Sequence, residues 1–286
     1  MEKPVTSARP APGLYVTATP IGNAADITAR ALDLMARCDL LLCEDTRVTA
    51  KLLAIHNISA KTAPYHDHNA AEMRPRILKR LEAGEVIVLV SDAGTPLVSD
   101  PGLKLVQEAV AAGHYVTTLP GASSVLAALT LAALPTDRFF FAGFAPAKQE
   151  GRRKEFAELA SIPATLVFLE SANRLAASLG DMAGALGDRP AAVARELTKR
   201  FEEVRRGSLS ELATHYEEAG APKGEIVVVV GPPEKRAPLC AHEIDAMIEN
   251  ALARTTLKDA VAEVVSITGL PRREIYARAL ELSGAK

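Results

Sequence analysis

The 286-residue sequence lacks the features of a membrane or exported protein. No apolar stretch approaches the roughly 20 residues that span a bilayer. The first dozen residues, MEKPVTSARPAP, contain no apolar h-region, so we predict a disordered lead-in over 1–12 and not a signal peptide. We therefore expect a cytoplasmic protein with no membrane partner. The net charge of −2 also means that any nucleic-acid surface has to be local.

Two phosphate-binding motifs are missing as well. No GxGxxG follows the first predicted strand, and no GxxxxGK[ST] occurs anywhere. Their absence argues against a Rossmann dinucleotide enzyme, the commonest methyltransferase fold and a P-loop NTPase. Cys38, Cys43 and Cys240 form no CxxC pair, so we predict buried free thiols. His66 and His68 have no cysteine or acidic ligands at fixed spacing, so no metal site is predicted.

What the sequence does contain is a central apolar run, Val86–Val90, followed by the loop Ser91–Pro96. An unbroken apolar run of this kind is typical of a strand buried on both faces of a parallel sheet. Asp100 is predicted to cap a helix that opens at Pro101 and ends near Ala112. Ligands of open α/β sheets bind at such loops, beyond the carboxyl ends of the strands. A lone carboxylate at a strand end suits a hydroxyl or an amino group better than a phosphate.

Strands and helices alternate along most of the chain. The alternation predicts an α/β protein with one domain over 13–134, a second over 138–233 and a helical tail over 238–286. In the first domain, Asp26 is predicted to cap a helix from Ile27 to about Arg37. In the second, Ala191–Arg195 and Glu203–Gly207 can form a hairpin, so its sheet is predicted to be mixed.

Small residues, hydroxyls and acids dominate the loops after the predicted strands, and phosphate-binding lysine is scarce there. The pocket that they imply suits a ligand with hydroxyls, an amine and a positive centre. These loops are Thr19–Asn23, Glu44–Arg47, Ser91–Pro96, Pro120–Ser124, Glu170 and Arg195–Lys199.

Five motifs at these loops, in this order, resemble those of the tetrapyrrole methylase superfamily. They are TPIGN at Thr19–Asn23, EDTR at Glu44–Arg47, SDAGTPLVSDPG at Ser91–Gly102, PGASS at Pro120–Ser124 and RELTK at Arg195–Lys199. The resemblance covers roughly 13–233 and extends into the tail. Relatives that act on tetrapyrroles carry a GDP-type segment where this chain has Ser91-Asp92-Ala93, and this departure favours the RNA-methylating branch.

The resemblance implies two α/β domains of the class III methyltransferase type, with S-adenosylmethionine in the cleft between them, and a homodimer. It implies methylation of the ribose 2′-hydroxyl of a decoding-centre cytidine, with 16S rRNA or the small ribosomal subunit as partner. The cofactor contacts that it implies are Thr19, Pro20, Asp92, Gly94, Thr95, Ser123, Ser124, Phe168, Leu169, Leu197 and Gly224.

The methyl transfer that the resemblance implies would need a group that activates the acceptor oxygen. Because a ribose hydroxyl is a poor nucleophile, a general base or a cation that favours the alkoxide would accelerate the transfer. The candidate bases are Asp45, His66, His68 and Glu196, and the candidate electrostatic or phosphate contacts are Arg47 and Lys199. The residues alone do not choose among them.

Two segments could contact RNA. The stretch Lys148–Lys154 has four cations against one acid and is predicted to be a loop, with Lys148, Arg152 and Arg153 as RNA contacts, although a merely solvated face is equally compatible. In the tail, a helix from Leu257 and a second opened by Pro271 resemble a helix-turn-helix. Its second helix is predicted to have Ile275, Tyr276 and Leu280 on its apolar side. Docking of the tail on a partner subunit stays open.

Two other functions remain possible at this point. The chain could be a C-methyltransferase that acts on a tetrapyrrole such as a porphyrinogen or precorrin. It could also be a ligand-sensing DNA-binding regulator, which the helical tail would suit. Uptake of labelled methyl into rRNA or into a porphyrinogen separates the first two, and operator binding without turnover identifies the third.

Overall fold

A computed structural model describes residues 9–234 and 241–284. The chain divides into two compact units, Met1–Pro233 and Glu234–Lys286. No helix in the described ranges is long and apolar enough to cross a membrane. Residues 1–8 of the predicted lead-in lie outside the described residues. The part that is described makes side-chain contacts, since Arg9 pairs with Asp39 at 3.0 Å.

The first unit begins with a five-stranded sheet in the order β3-β2-β4-β1-β5, and all its pairings are parallel. Its strands are β1 Gly13–Thr17, β2 Leu40–Cys43, β3 Thr62–Pro64, β4 Val86–Leu89 and β5 Val116–Leu119. The helices of this half are α1 Ala29–Arg37, α2 Thr46–Ile55, α3 Ala70–Glu82, α4 Leu103–Ala111 and α5 Ser124–Ala132. The predicted parallel sheet, with the apolar run of β4 at its centre, is thereby confirmed.

Helices cover both faces of this sheet, which explains the unbroken apolar run of β4. Val86 and Val88 pack with α1 and α2 on one face, while Ile87 and Leu89 pack with α3 and α4 on the other. Successive residues of a strand point to opposite faces, so a strand covered on both sides needs apolar residues at every position.

Two predicted helix caps in this half are wrong. Asp26 lies in a short 3₁₀ turn, and Thr28 caps α1 instead by accepting a hydrogen bond from the Ala31 amide at 3.2 Å. Asp100 caps nothing, because α4 starts three residues later, after Gly102. Gly102 has φ +134°, and a Cβ there would lie 2.7 Å from the Leu89 side chain, so this position requires glycine. Asp100 therefore sits in an irregular loop.

The second sheet of the same unit is mixed, in the order β6-β7-β10-β8-β9. Its strands are β6 Phe139–Phe144, β7 Thr165–Glu170, β8 Pro190–Arg195, β9 Glu203–Ser208 and β10 Ile226–Val230, with helices α6 Gln149–Leu159, α7 Leu175–Leu186 and α8 Leu209–Ala219. Of its pairings, β6–β7 is parallel and the other three are antiparallel. The predicted β8–β9 hairpin and the mixed sheet are both confirmed.

Helix α5 joins the two halves. Its residues Val125 and Leu129 pack against Val167, Val227 and Val229 on one face of the second sheet. Helices α6, α7 and α8 cover the opposite face. The first unit thus contains both sheets, and the division into domains at 13–134 and 138–233 stays a prediction.

The predicted basic loop at Lys148–Lys154 is wrong, since most of it is the start of α6. Arg152 lies four residues before Phe156, and both face inward. The Arg152 side chain is 5 % exposed and its Nε donates to Asp181 of α7 at 2.9 Å. Arg152 is therefore part of the packing of α6 against α7 and is withdrawn as an RNA contact.

The tail folds around its own core. Its helices are α9 Ala241–Leu252, α10 Leu257–Thr268 and α11 Arg272–Ser283, and Val261, Val264 and Ile275 are buried among them. The predicted start of α10 at Leu257 is confirmed. Tyr276 is 46 % exposed, so its predicted place on the apolar side is wrong. Residues 238–240 of the predicted tail, including Cys240, lie outside the described residues.

Candidate active site

A cavity of about 240 Å³ lies between the two sheets of the first unit, with room for a small organic molecule but not for a polymer. We call it the main cavity. From the first half it is lined by Ile21, Ala93, Val98, Ser99, Asp100 and Ser124, and from the second half by Phe144, Leu169, Glu170, Leu197, Glu225, Ile226 and Val227. These residues include three acids and two hydroxyls, and no lysine or arginine is among the described lining residues.

A side cavity adjoins it across the loop after β1. Ile21, Ala93 and Glu225 line both cavities. The side cavity is also lined by the predicted site residues Thr19, Pro20, Asp92 and Lys199, together with residues of α2. The two spaces form one region at the carboxyl ends of the parallel strands, where open α/β sheets bind ligands.

Hydrogen bonds hold the loops of the first half in place. Thr19 and Gly94 exchange two backbone hydrogen bonds, of 2.9 and 3.0 Å, and the Thr19 hydroxyl donates to the Ser91 carbonyl at 3.0 Å. The Thr95 hydroxyl donates to the Ala122 carbonyl at 3.1 Å. The loops after β1, β4 and β5 are thereby tied into one rigid rim, and two predicted cofactor contacts, Thr19 and Thr95, use their hydroxyls for this purpose.

The predicted serines have different positions. Ser123 caps α5 by accepting a hydrogen bond from the Leu126 amide at 3.4 Å, whereas Ser124 lines the main cavity. Asp92 accepts a hydrogen bond from the Asp45 amide at 3.0 Å and so links the loops after β2 and β4. Their roles as cofactor contacts stay predictions.

Two other predicted cofactor contacts are placed elsewhere. Phe168 is fully buried and packs edge-to-face on Phe156, on the face of the second sheet that is turned away from the cavity. Its neighbour Leu169 lines the cavity, because adjacent residues of a strand face opposite sides. Gly224, at φ +103°, is exposed, and a Cβ there would overlap the Glu196 side chain, so it makes room for Glu196. Phe168 is therefore corrected to a core residue.

Acidic side chains gather beside the cavities. Burial raises the pKa of Glu44, and the nearby charges of Asp92, Asp100 and Asp67 raise it further, while His66 lowers it. Burial also raises the pKa of Asp100, although a hydrogen bond from Ser91 opposes the shift. Within the described part of the chain, no group of three or more His, Cys, Asp or Glu side chains is arranged to hold a metal ion.

Two of the predicted bases are poor bases. Asp45 accepts from the Arg47 guanidinium at 2.6 and 3.0 Å and caps α2, which lowers its pKa to about 2. The hydrogen bond from Lys199, at 3.0 Å, and one from the Glu225 amide lower the pKa of Glu196. A base needs a pKa near the working pH, so both carboxylates suit positioning better than proton transfer.

His66 and Glu44 are better placed to act as a base than these two carboxylates. The buried Nδ1 atom of His66 has no hydrogen-bond partner among the described residues, and its ring centroid lies 5.9 Å from that of His68. Glu44, which the sequence analysis did not select as a base, combines partial burial with a raised pKa. A signal was present in the sequence, since Glu44 directly follows a buried apolar strand.

Backbone strain lies on both sides of the main cavity. Leu97 and Ser99 have φ of +72° and +65° in the loop before α4, and Glu196 and Thr198 have φ of +50° and +64° in the turn after β8. The left-handed conformation is unfavourable for residues other than glycine and is concentrated at binding sites. Because none of the four is a glycine or an asparagine, the sequence carried no sign of it.

The basic side chains of the second half differ in whether they are exposed and whether an acidic residue already pairs with them. Lys148 is exposed, whereas Arg153 is exposed but paired with Asp181 at 2.7 Å. Arg200 lies over the ring of Phe201, 5.5 Å from its centroid, and that ring is 65 % exposed. The sequence analysis did not select Phe201 as an RNA contact.

Comparison with known proteins agrees with this geometry. The sequence profile of the tetrapyrrole (corrin/porphyrin) methylases matches residues 13–213, which is most of the first unit. The chain belongs to the tetrapyrrole methylase family. A second profile, described as the RsmI C-terminal HTH domain, matches residues 240–283 of the tail. The resemblance noted in the sequence and the helix-turn-helix reading of the tail are both confirmed.

Several family members are similar over nearly their whole length. A protein of Mesorhizobium japonicum named ribosomal RNA small subunit methyltransferase I is 50 % identical over 272 residues, which cover 95 % of this chain and 92 % of that protein. One of the same name from Erythrobacter litoralis is 48 % identical over 279 residues, which cover 96 % of this chain and 98 % of the relative.

Solved structures of the family share the fold. A cobalt precorrin-4 methyltransferase is 21 % identical, with a TM-score of 0.57, and the match covers 76 % of this chain and 94 % of that one. A uroporphyrin-III C-methyltransferase of Thermus thermophilus, complexed with S-adenyl homocysteine, is 20 % identical with a TM-score of 0.55, over 77 % of this chain and 97 % of that one. At these identities the likeness shows the class III methyltransferase fold.

Proposed function

We propose that this chain uses S-adenosylmethionine to methylate ribosomal RNA, at the ribose 2′-hydroxyl of a decoding-centre cytidine in 16S rRNA. The observation that carries the proposal is the main cavity, which has acidic and hydroxyl side chains and no lysine or arginine among its described lining residues. The names of its close relatives, ribosomal RNA small subunit methyltransferase I, support the RNA substrate. The complex of a family member with S-adenyl homocysteine supports the cofactor.

The residues of the main cavity fit this cofactor. S-Adenosylmethionine has a sulfonium cation, an amino group and two ribose hydroxyls, and when bound it supplies a methyl group on positively charged sulfur. Asp100 and Glu225 offer carboxylates to the positive groups, and Ser124 offers a hydroxyl. Leu169, Leu197 and Ile226 offer apolar surface to the adenine. An opposite charge close to the ligand is favourable where the surroundings exclude water.

The chain's own contribution to the transfer is alignment and proton removal. The rigid rim of loops can fix the geometry of approach, which alone supplies much of the acceleration in reactions of this kind. We assign proton removal from the acceptor hydroxyl to the Glu44 and His66 pair, in place of Asp45 and Glu196. The raised pKa of Glu44 supports this assignment, because it brings the group nearer the working pH.

RNA is proposed to contact both units. In the first, Lys148, Arg200 and the exposed ring of Phe201 offer phosphate contacts and a surface on which a base can stack. In the tail, Arg272 and Arg273 are exposed, and neither has an acidic partner within 4 Å among the described residues. Arg278 is less available, since it pairs with Asp245.

The test is methyl transfer from labelled S-adenosylmethionine to three acceptors in parallel: naked 16S rRNA, assembled small subunits and a porphyrinogen. We expect label in the RNA, and mass spectrometry of nuclease fragments should place it on a cytidine ribose. Label in the porphyrinogen would support the tetrapyrrole alternative. Sequence-specific DNA binding without any turnover would support the regulator alternative.

The tail is proposed to bind RNA and to be unnecessary for binding of the cofactor. It has its own core, and both sheets and both cavities belong to the first unit. A chain ending at Pro233 should therefore fold and bind S-adenosylmethionine with unchanged affinity, yet methylate 16S rRNA poorly. Full RNA methylation by the shortened chain would show that the tail is not needed.

We also propose a homodimer that works in the cytoplasm, where its RNA substrate would be. The aromatic residues Phe139 and Phe140 of the edge strand β6 support an interface, because they are 44 % and 41 % exposed on a strand with one free edge. Light scattering coupled to gel filtration should give twice the mass of the chain. A single-chain mass at micromolar concentration would contradict the dimer.

A further inference from the structure

A molecule that reacts with a ligand of the main cavity has to approach it from an adjoining space. The side cavity, of about 260 Å³, shares Ile21, Ala93 and Glu225 with the main cavity. A third space, which also has Ala93 in its wall, has a volume of about 30 Å³, enough for one or two water molecules. Of these two adjoining spaces, only the side cavity has room for part of an RNA chain.

One wall of the side cavity is an apolar face of α2. Val48, Leu52 and Ile55 follow one another at intervals of four and three residues, which places them on the same side of the helix. Ile55 is 62 % exposed and Val48 is 39 % exposed, whereas Leu53, on another side of α2, is buried in the core. Because this exposed apolar face borders a cavity, it indicates a surface that a ligand covers.

Polar groups lie beside this apolar face. Lys199 lines the same cavity, and its ammonium donates to Glu196 at 3.0 Å and to Glu225 at 2.9 Å. An ammonium has three N–H groups, so a third donor of Lys199 is left for a ligand. Asp92 also lines the cavity, and burial followed by the charge of Asp92 raises the pKa of Glu44. The side cavity therefore adjoins the carboxylate that is proposed to take the proton.

We propose that the side cavity is the acceptor site, in which the base of the target nucleotide leaves its stack and lies flat on Val48, Leu52 and Ile55. The inference rests on the proposed function and names where its RNA substrate enters. A nucleobase has two flat apolar faces and a polar edge, so one face suits the α2 wall and the edge suits Lys199. The ribose of that nucleotide then lies towards the boundary with the main cavity, where the methyl donor is proposed to bind.

The test replaces the two exposed members of the apolar face in the full chain, as Val48→Gln combined with Ile55→Gln, which we call the α2 variant. Glutamine is tolerated at exposed helix positions, so the chain should fold, and thermal unfolding checks this. Methylation of 16S rRNA should fall about 10- to 100-fold in kcat/KM, because the base loses apolar contact. S-Adenosylhomocysteine should bind with unchanged affinity by calorimetry. If the double variant does not fold, Ile55→Gln alone should show a smaller loss of the same kind.

Leu103→Gln combined with Val110→Gln, which we call the α4 variant, is the matched control. These two residues of α4 are also apolar and seven positions apart, and they are 57 % and 59 % exposed. Neither of them lines the main cavity or the side cavity. The α4 variant should therefore methylate RNA with the wild-type kcat/KM.

A second measurement follows the base without catalysis. A 16S rRNA fragment carries the fluorescent analogue pyrrolocytosine at the methylated position, and S-adenosylhomocysteine is present at saturation. Stacking on neighbouring bases quenches this analogue, so its fluorescence should rise when the base enters the cavity. We expect the rise with the wild type and the α4 variant, and none with saturating α2 variant.

Three results would overturn the inference: wild-type methylation by the α2 variant, an equal loss in the α4 variant, or weakened cofactor binding by the α2 variant, which would assign the side cavity to the cofactor. A lower mass of the α2 variant in light scattering would also overturn it, because the apolar face would then be an interface between two copies. Wild-type protein that binds the cofactor but methylates no RNA would instead overturn the proposed function.

Discussion

The carboxylates at the strand-end loops of the first half have different surroundings from those of the second half. In the second half, Asp181 pairs with Arg152, Glu203 with Arg195, and Glu196 with Lys199. At the loops of the first half, burial raises the pKa of Glu44 and of Asp100, and the nearby charge of Asp92 raises both further. Asp45, at the same loops, differs from these two because Arg47 pairs with it.

The difference separates carboxylates that stabilise the fold from carboxylates that are available to a ligand. A paired carboxylate has its charge compensated and its oxygens occupied, and removing its partner is costly when the pair is buried. Acids that crowd together without cations lower stability, and such arrangements are concentrated at functional sites. The carboxylates at the loops of the first half are therefore available to a ligand, whereas the paired carboxylates of the second half stabilise the fold.

Breaking the buried pair in the second half should have the largest effect. Asp181→Ala leaves Arg152 buried without its partner, and we expect a loss of about 3–5 kcal/mol in the free energy of unfolding. Denaturant unfolding measures it. Arg153→Ala, which removes only the exposed partner of the same carboxylate, should cost less than about 1 kcal/mol. Equal losses in the two variants would show that the Arg152 pair is not the stabilising one.

Removing a charge from the first half should affect ligand binding instead. Asp92→Asn keeps an oxygen that can accept from the Asp45 amide, so folding should be preserved. Calorimetry should show S-adenosylmethionine binding weakened by about 1–3 kcal/mol. Glu203→Gln is the matched change in the second half, and it should leave this affinity unaltered. A loss in Glu203→Gln as large as in Asp92→Asn would contradict the division between the halves.

Reversing an exposed positive charge in the second half should have a smaller effect, which is on RNA binding. Arg200→Glu should reduce RNA affinity and lower the slope of its salt dependence by about one or two phosphate contacts. Arg76→Glu in α3 of the first half is the control, because it reverses an exposed charge that is not among the proposed RNA contacts. Filter binding over a range of salt concentrations measures both. Identical slopes for Arg200→Glu and wild type would remove this surface from the proposed RNA interface.

The smallest expected effect is on the pH dependence of folding stability, to which Glu44 and Glu203 should contribute with opposite signs. The folded pKa of Glu44 is raised above its ordinary 4.5, so its charge lowers stability as the pH rises above 4.5, and Glu44→Gln should be more stable than wild type near neutral pH. The hydrogen bond from Arg195, more than any other contact, lowers the pKa of Glu203. Its contribution is therefore present above pH 4.5 and lost as the pH falls below it. Melting curves across pH should show opposite slopes for the two Gln variants relative to wild type.

The sequence by itself determined the order and kind of most elements. The apolar run of β4 predicted a central buried strand, the adjacent β8 and β9 predicted a hairpin, and five loop motifs indicated the family. These features are local: an apolar pattern or a turn residue is visible in a short stretch and needs no knowledge of distant residues.

Only the tertiary structure decided which side chains are free to act. Arg152 looked like a surface cation until α6 packed against α7 and Asp181, and Phe168 looked like a ligand contact until β7 turned it to the far face. The raised pKa of Glu44 likewise depends on Asp92 and Asp100, which are far away in the sequence. Burial and charge act through space over a few ångströms, so residues distant along the chain set them and no local pattern records them.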